Sequence, residues 1–129
     1  MASVELIDIS KRFGSAIGVA RQSLSVKDGE FMVFLGPSGC GKTTTMRMIA
    51  GLVEPTEGRI VIGEDDVTHD QPRERDVAMV FQNYGLYPHM TVGDNIAYPL
   101  KVRGIAKAER DAQVRVVAEK VELAHLLDR

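Results

Sequence analysis

At 129 residues, 44% hydrophobic and 26% charged, the chain has the length of one domain with a real core and the composition of a soluble globular protein, which excludes wholesale disorder. A formal net charge of -2 and a pI near 5.9 supply no broad basic field, so nucleic acid is not expected as a main partner. The single cysteine, Cys40, excludes a disulfide within the chain and fits a reducing cytosol.

The N-terminal stretch from Met1 to Asp8 carries acids where a signal peptide has basic residues followed by an apolar core, so no export is expected. No apolar run approaches the ~18 to 20 residues needed to cross a bilayer, so any membrane role is expected to come through a partner protein. Val4, Leu6 and Ile9, with Ile7 out of step, predict a first strand, and Lys11-Arg12-Phe13-Gly14 reads as its turn. Phe13, by position alone, is a packing residue of that turn; base stacking is the alternative. From Ile17 to Val26 the pattern is extended and partly alternating. Lys27-Asp28-Gly29-Glu30 is a turn, and the apolar run Phe31 to Leu35 predicts a buried strand.

That strand is expected to feed the stretch around which the chain is organised, Gly36-Pro37-Ser38-Gly39-Cys40-Gly41-Lys42-Thr43. Its spacing fits the Walker A pattern, a phosphate cradle. Gly36, Gly39 and Gly41 lack a Cβ and let the main chain approach an anion closely. Their N–H groups, with the positive end of the helix that follows, suit the β-phosphate. Lys42 adds a charge for the β- and γ-phosphates, the Thr43 hydroxyl offers a ligand to Mg²⁺, and Thr44 offers a hydroxyl or N–H to the α-phosphate. Cys40 within the loop reads as a small side chain turned away from the nucleotide; a redox role would require a low thiol pKa.

The helix is predicted over Thr43 to Ala50, with Met46, Ile49 and Ala50 at helical spacing and Gly51 as its stop. Glu54 to Gly58 is a turn, Arg59 to Ile62 a short strand, and Gly63 to Asp66 another turn whose acids read as solvated surface. His69, His89 and His125 are isolated and carry no ligand pairing. Pro72 to Arg75 predicts one helical turn leading into a second continuously apolar strand, Val77 to Phe81. Gln82 then falls at a strand's carboxyl end, where open parallel sheets hold ligands; by position alone it reads as a surface residue. Thr91 is placed as N-cap of a helix through Asn95 to Lys101 that Pro99 should break or kink. Lys107 to Val121 carries Val114, Val117, Ala118 and Val121 on one face of an amphipathic helix.

Taken together, Gly36 to Thr44 and the stretch Val80-Phe81-Gln82-Asn83-Tyr84-Gly85-Leu86-Tyr87-Pro88-His89-Met90-Thr91-Val92 resemble the ATP-binding subunit of an ABC transporter. The second stretch is similar to the Q-loop of the carbohydrate-importer subfamily, of maltose or glycerol-phosphate type. The resemblance runs from about Val4 to Arg129. It implies an α/β fold, a P-loop NTPase with a RecA-like core and an ABC-type antiparallel β subdomain, incomplete at the C-terminus. Residues 1–90 would form the ATP-binding core and 91–129 the start of the helical subdomain.

The resemblance places Phe13 at the adenine-stacking aromatic. It places Gly36, Pro37, Ser38, Gly39, Cys40, Gly41, Lys42, Thr43 and Thr44 around the phosphates of ATP. Gln82 becomes the Q-loop glutamine, which with Thr43 contacts Mg²⁺. Asn83 to Thr91 would help receive a cytoplasmic helix of the membrane-spanning permease subunit, and a second ATP-binding subunit would complete a homodimer. Such a protein is cytoplasmic and peripheral to the inner face of the membrane.

In the family's order the signature motif, the Walker B aspartate, the catalytic glutamate and the switch histidine follow beyond Arg129, so no residue here is assigned to them. Lys42 and Gln82 contribute to a catalytic centre that this chain does not complete. The expectation is Mg-ATP binding without turnover, and self-association through unpaired strand edges. A non-transport ABC ATPase shares the cradle but is not expected to carry Tyr84 to Thr91 in this form. Another P-loop enzyme, such as a nucleotide kinase, would require a second-substrate pocket and a lid. A nucleotide-binding or interaction module without catalysis is the remaining alternative.

Overall fold

Alternating apolar residues near the start of the chain form a long hairpin, β1 (Val4–Phe13) and β2 (Ala16–Val26), with Val4 opposite Val26 and Phe13 opposite Ala16. The computed structural model describes residues 2–129; Met1, at the head of the acidic N-terminal stretch, lies outside the described residues. The other edge of β1 pairs with β3 (Glu57–Ile62), and β3 with the two-residue β4 (Asp65–Asp66), giving an antiparallel sheet in the order β2-β1-β3-β4. The turn expected at Lys11 to Gly14 lies later, at Gly14 and Ser15, because Lys11, Arg12 and Phe13 all pair with β2.

Ile7 breaks the apolar alternation for a structural reason. Asp8 takes a φ of 51°, and the pairing of β1 with β2 slips between Leu6 and Ile9. This bulge turns Leu6 and Ile9 into the same core although three positions separate them. Gly58 accommodates the bulge from β3: a Cβ there would lie 2.5 Å from the carbonyl oxygens of both Ile7 and Asp8.

The core joins Leu6, Ile9, Val19, Ile60 and Val67 to Met48 of α1 (Lys42–Ile49). Fully burying a side chain such as Ile60 contributes about 1.5 to 3 kcal/mol. The helix lies one residue earlier than the predicted span at both ends, with Ala50 as its C-cap and Gly51, φ 75°, just beyond. Met48 is buried, whereas Met46 is exposed.

The last carbonyls of α1 have a partner that the sequence hid. Arg75 is 4% exposed, and its guanidinium donates to the carbonyl oxygens of Met48 (2.7 Å), Ile49 (3.0 Å), Asp70 (3.0 Å) and Thr68 (3.2 Å). A cation there satisfies orphan carbonyls and complements the negative end of the helix. Burial pulls the Arg75 pKa below its ordinary value, partly opposed by Asp70. Gly51 makes room for this side chain, since a Cβ would come to 2.7 Å from Arg75 Nε.

Two strands expected from continuous apolar runs, Phe31 to Leu35 and Val77 to Phe81, do not form. Phe31 is 91%, Leu35 87% and Val80 89% exposed. A strand buried on both faces needs ladder partners on its edges and cover above and below. Among the described residues neither run has a ladder partner. Gln82 therefore stands in a turn over residues 82–85 and not at a strand end.

The chain divides into a first compact unit ending at Met79 and a second from Val80 to Arg129. In the second, α2 (Val92–Val102) packs against α3 (Lys107–Lys120). Thr91 caps α2 by accepting a hydrogen bond from the Asp94 N–H (3.0 Å). Pro99 does not break α2, which continues to Val102 although Pro99 has no N–H for the carbonyl one turn back. Of the apolar face expected on α3, Val114 and Ala118 are buried, while Val117 and Val121 are about half exposed. Among the described residues no helix is long and apolar enough to cross a membrane.

Candidate functional site

The loop between residues 36 and 41 is shaped by three glycines with φ of 152°, 82° and 95° at Gly36, Gly39 and Gly41. These angles lie in the region where a Cβ is strained. Gly41 is also the N-cap of α1, with no side-chain hydrogen bond to the first turn and no acidic residue in that turn. The free N–H groups and positive end of the helix are thereby left for an anion.

A cavity of about 310 Å³ opens at this helix end. Ser38, Gly39 and Gly41 to Thr44 line one side of it and Gly18 of β2 the other. Lys42 ties the loop into a ring, its ammonium donating to the carbonyl oxygens of Gly36 and Pro37, each at 2.7 Å, and standing 3.3 Å from Cys40 Sγ. The ring brings positive charge to a wall of backbone donors, the chemistry that a polyphosphate requires. Thr43 belongs to the same lining, and its hydroxyl is a hard oxygen ligand of the kind suited to Mg²⁺. Cys40 is exposed, and its Sγ would sit 2.8 Å from a Cβ at Gly36, so a side chain there would displace the thiol in addition to straining the backbone.

Behind the cradle, Thr45 is buried, and its hydroxyl accepts a hydrogen bond from Gln22 Nε2 of β2 at 3.0 Å. That bond ties the first turn of α1 to the sheet. Phe13, at the end of β1, is half exposed; the Lys11 ammonium lies over its ring, 5.3 Å from the centroid, and donates to the Glu54 carbonyl at 2.6 Å. The ring borders Gly18, the residue that also walls the cavity. Phe13 and the phosphate loop are thus neighbours across a single backbone residue.

Gln82 belongs to the second unit, on its exposed turn. In that unit the stretch leading to α2 is organised by Asn95, a residue absent from the sequence-based candidates. Its Nδ2 donates to the carbonyls of Tyr87, Met90 and Thr91 (3.1, 3.3 and 2.9 Å), and its Oδ1 accepts from the Tyr87 N–H at 2.8 Å. Tyr87 packs on Tyr98 with ring centroids 4.6 Å apart. Gly18 and Gln22 likewise escaped the sequence. The one signal for Gly18 was an isolated glycine in a strand pattern, which marks a bulge or a close backbone approach.

Comparisons with known proteins agree on one family. The family described as ABC transporter matches residues 19–129. The chain is 57% identical to the trehalose/maltose import ATP-binding protein MalK of Thermococcus litoralis, covering all of this chain and 36% of that protein. It is 53% identical to the sn-glycerol-3-phosphate import ATP-binding protein UgpC 3 of Rhizobium etli, covering all of this chain and 37% of that protein. It therefore spans about a third of the length of these relatives. Among solved structures, 98% of the chain superposes on a dimeric ATP-binding cassette in a post-hydrolysis state bound to ADP and Pi, with TM-score 0.84 and 28% identity over 60% of that chain. All of it superposes on an ATP-binding cassette of an ABC transporter in its ADP conformation, with TM-score 0.74 and 25% identity over 57% of that chain. These likenesses cover the antiparallel sheet, the glycine loop and the helices together. The chain belongs to the ABC transporter family.

Proposed function

We propose that this chain binds Mg-ATP as part of the ATP-binding subunit of a solute importer, with a sugar as the solute class. The observation that carries this is the cavity at the start of α1, where backbone donors, Lys42 and Thr43 meet. The high identity to import ATP-binding proteins supports transport as the context, and the trehalose/maltose relative supports sugar as the solute. Gly36 to Thr44 hold the phosphates, Phe13 stacks on the base, and Thr43 with Gln82 serves Mg²⁺. Residues 1–90 are the ATP-binding core, and 91–129 begin the helical subdomain.

Permease subunits dock near Asn83 to Thr91, a second ATP-binding subunit pairs with this one, and the assembly works at the inner face of the membrane. The bound metal neutralises charge on the phosphates; this chain's residues bind and orient. No residue here is proposed to activate water, so the chain binds Mg-ATP without turnover.

Calorimetric titration with Mg-ATP tests the reading, with Lys42→Ala as control. Removing the charge-assisted bonds of Lys42 is expected to weaken binding about 10- to 150-fold. Equal binding by the two proteins would sink the assignment of the cradle. Steady hydrolysis abolished by Lys42→Ala would refute binding without turnover.

A further inference from the structure

We propose that Gly18 is a positioning residue that sets where the Phe13 ring stands beside the phosphate cradle; the proposal rests on reading that cradle as a nucleotide site. Gly18 is the extra residue of a bulge in β2. Lys11 pairs with Val19 and Arg12 with Ile17, which leaves Gly18 without a partner across the strand. Bulges of this kind re-aim nearby side chains and gather beside active sites.

Backbone angle does not demand glycine here, because Gly18 is outside the left-handed region. Space does. A Cβ at position 18 would lie 2.6 Å from Phe13 Cε2 and 2.8 Å from Cδ2, while the next atom, the Lys11 carbonyl oxygen, is at an ordinary 3.5 Å. Any side chain at 18 and the ring in its present place are therefore mutually exclusive, and the ring is what must move. On its other side the Gly18 carbonyl oxygen is 3.0 Å from where a Gly41 Cβ would stand, so Gly18 also abuts the phosphate loop. One residue without a side chain thus sets the spacing between the aromatic face and the phosphate donors. Lys11, anchored on the Glu54 carbonyl, holds the ring from a second direction.

The test is a double-mutant cycle on the whole chain with two probes: Mg-ATP, and Mg-tripolyphosphate, which has the phosphates but no base. Phe13→Ala and Gly18→Ala should each weaken Mg-ATP about 5- to 150-fold, the range of a lost stacking contact. Tripolyphosphate affinity should stay within about two-fold of the unsubstituted chain in both, as expected for a site that the stacking contact does not touch. In the Phe13→Ala background Gly18→Ala should have no further effect, because the only clashing group is gone.

Gly18→Ala with unchanged Mg-ATP affinity, with equal loss of both probes, or with an added loss in the Phe13→Ala background would overturn the proposal. Gly18→Ala should also unfold at a urea midpoint near that of the unsubstituted chain. A variant that fails to fold would mean that backbone and not Phe13 limits position 18, which again overturns it. Binding of neither probe by the unsubstituted chain would instead refute the nucleotide site itself. Binding of both with a silent Phe13→Ala would refute base stacking, and the role of Gly18 with it.

Discussion

Ile60 and Phe31 stand in runs of similar apolarity, Arg59 to Ile62 and Phe31 to Leu35, yet Ile60 is fully buried and Phe31 is 91% exposed. The difference lies in their neighbours. β3 has β1 on one edge, β4 on the other, and Met48 of α1 in the same core. Phe31 to Leu35 has no ladder partner among the described residues. Hydrophobicity states a demand for burial, and only pairing and cover meet it.

Substitutions should separate the two runs sharply. Ile60→Ala removes a fully buried side chain from the core and is expected to cost about 2 to 5 kcal/mol in urea unfolding. A cost as small as that of a surface change would mean the sheet core is not the stabilising unit. Arg75→Ala comes next, at about 2 to 4 kcal/mol, because it removes a buried guanidinium and its hydrogen bonds to the carbonyls of Met48, Ile49, Thr68 and Asp70, of which those to Met48 and Thr68 are buried. Arg75→Lys should recover only part of this, as one ammonium cannot reproduce the planar fork.

Phe31→Ser should change stability by less than about 0.5 kcal/mol, since the side chain is already in water. The same change should lower self-association seen by light scattering, because an exposed apolar run without strand partners invites pairing with other chains. A large loss of stability would show that the run is buried in solution.

The smallest effect concerns acid. The Thr68 hydroxyl and N–H both donate to Asp66 Oδ1, at 2.5 and 3.1 Å, and hold its carboxyl below the ordinary carboxylate value, with Arg59 and His69 adding to the effect. A folded pKa below the unfolded one stabilises the fold above about pH 4 and ceases to do so as pH falls through the folded value. Asp66→Asn should flatten that part of the profile, measured as urea midpoints from about pH 6 to pH 3. An unchanged profile would place the acid sensitivity elsewhere, for example at Asp8, which Arg21 likewise holds low.

The phosphate loop was legible because its chemistry is local. Glycines at fixed spacing, one lysine and a helix start define a cradle within nine residues, and the structure forms the loop, the helix and the cavity there. Thr91 was legible as a cap for the same reason, since a hydroxyl reaching an N–H three residues on needs nothing distant. The misfit at Ile7 was legible, but the bulge that causes it and the place of the turn after Phe13 were not, because bulges and register belong to the pairing of two strands and not to either strand alone.

By itself the sequence determined the family, the glycine loop and its helix, the two extended stretches at the start of the chain and the cap of α2, because each rests on neighbours in the chain. Only the tertiary structure decided that Arg75, read as part of one helical turn, closes the end of α1, that Asn95 holds the backbone from Tyr87 to Thr91, and that Gly18 stands between Phe13 and the cradle. It also decided that Phe31 to Leu35 and Val77 to Phe81 have no ladder partner among the described residues. Each of these depends on which backbone, four residues away for Asn95 and twenty-seven for Arg75, supplies a carbonyl, an N–H or an empty space, and the linear order of residues does not specify that without the fold.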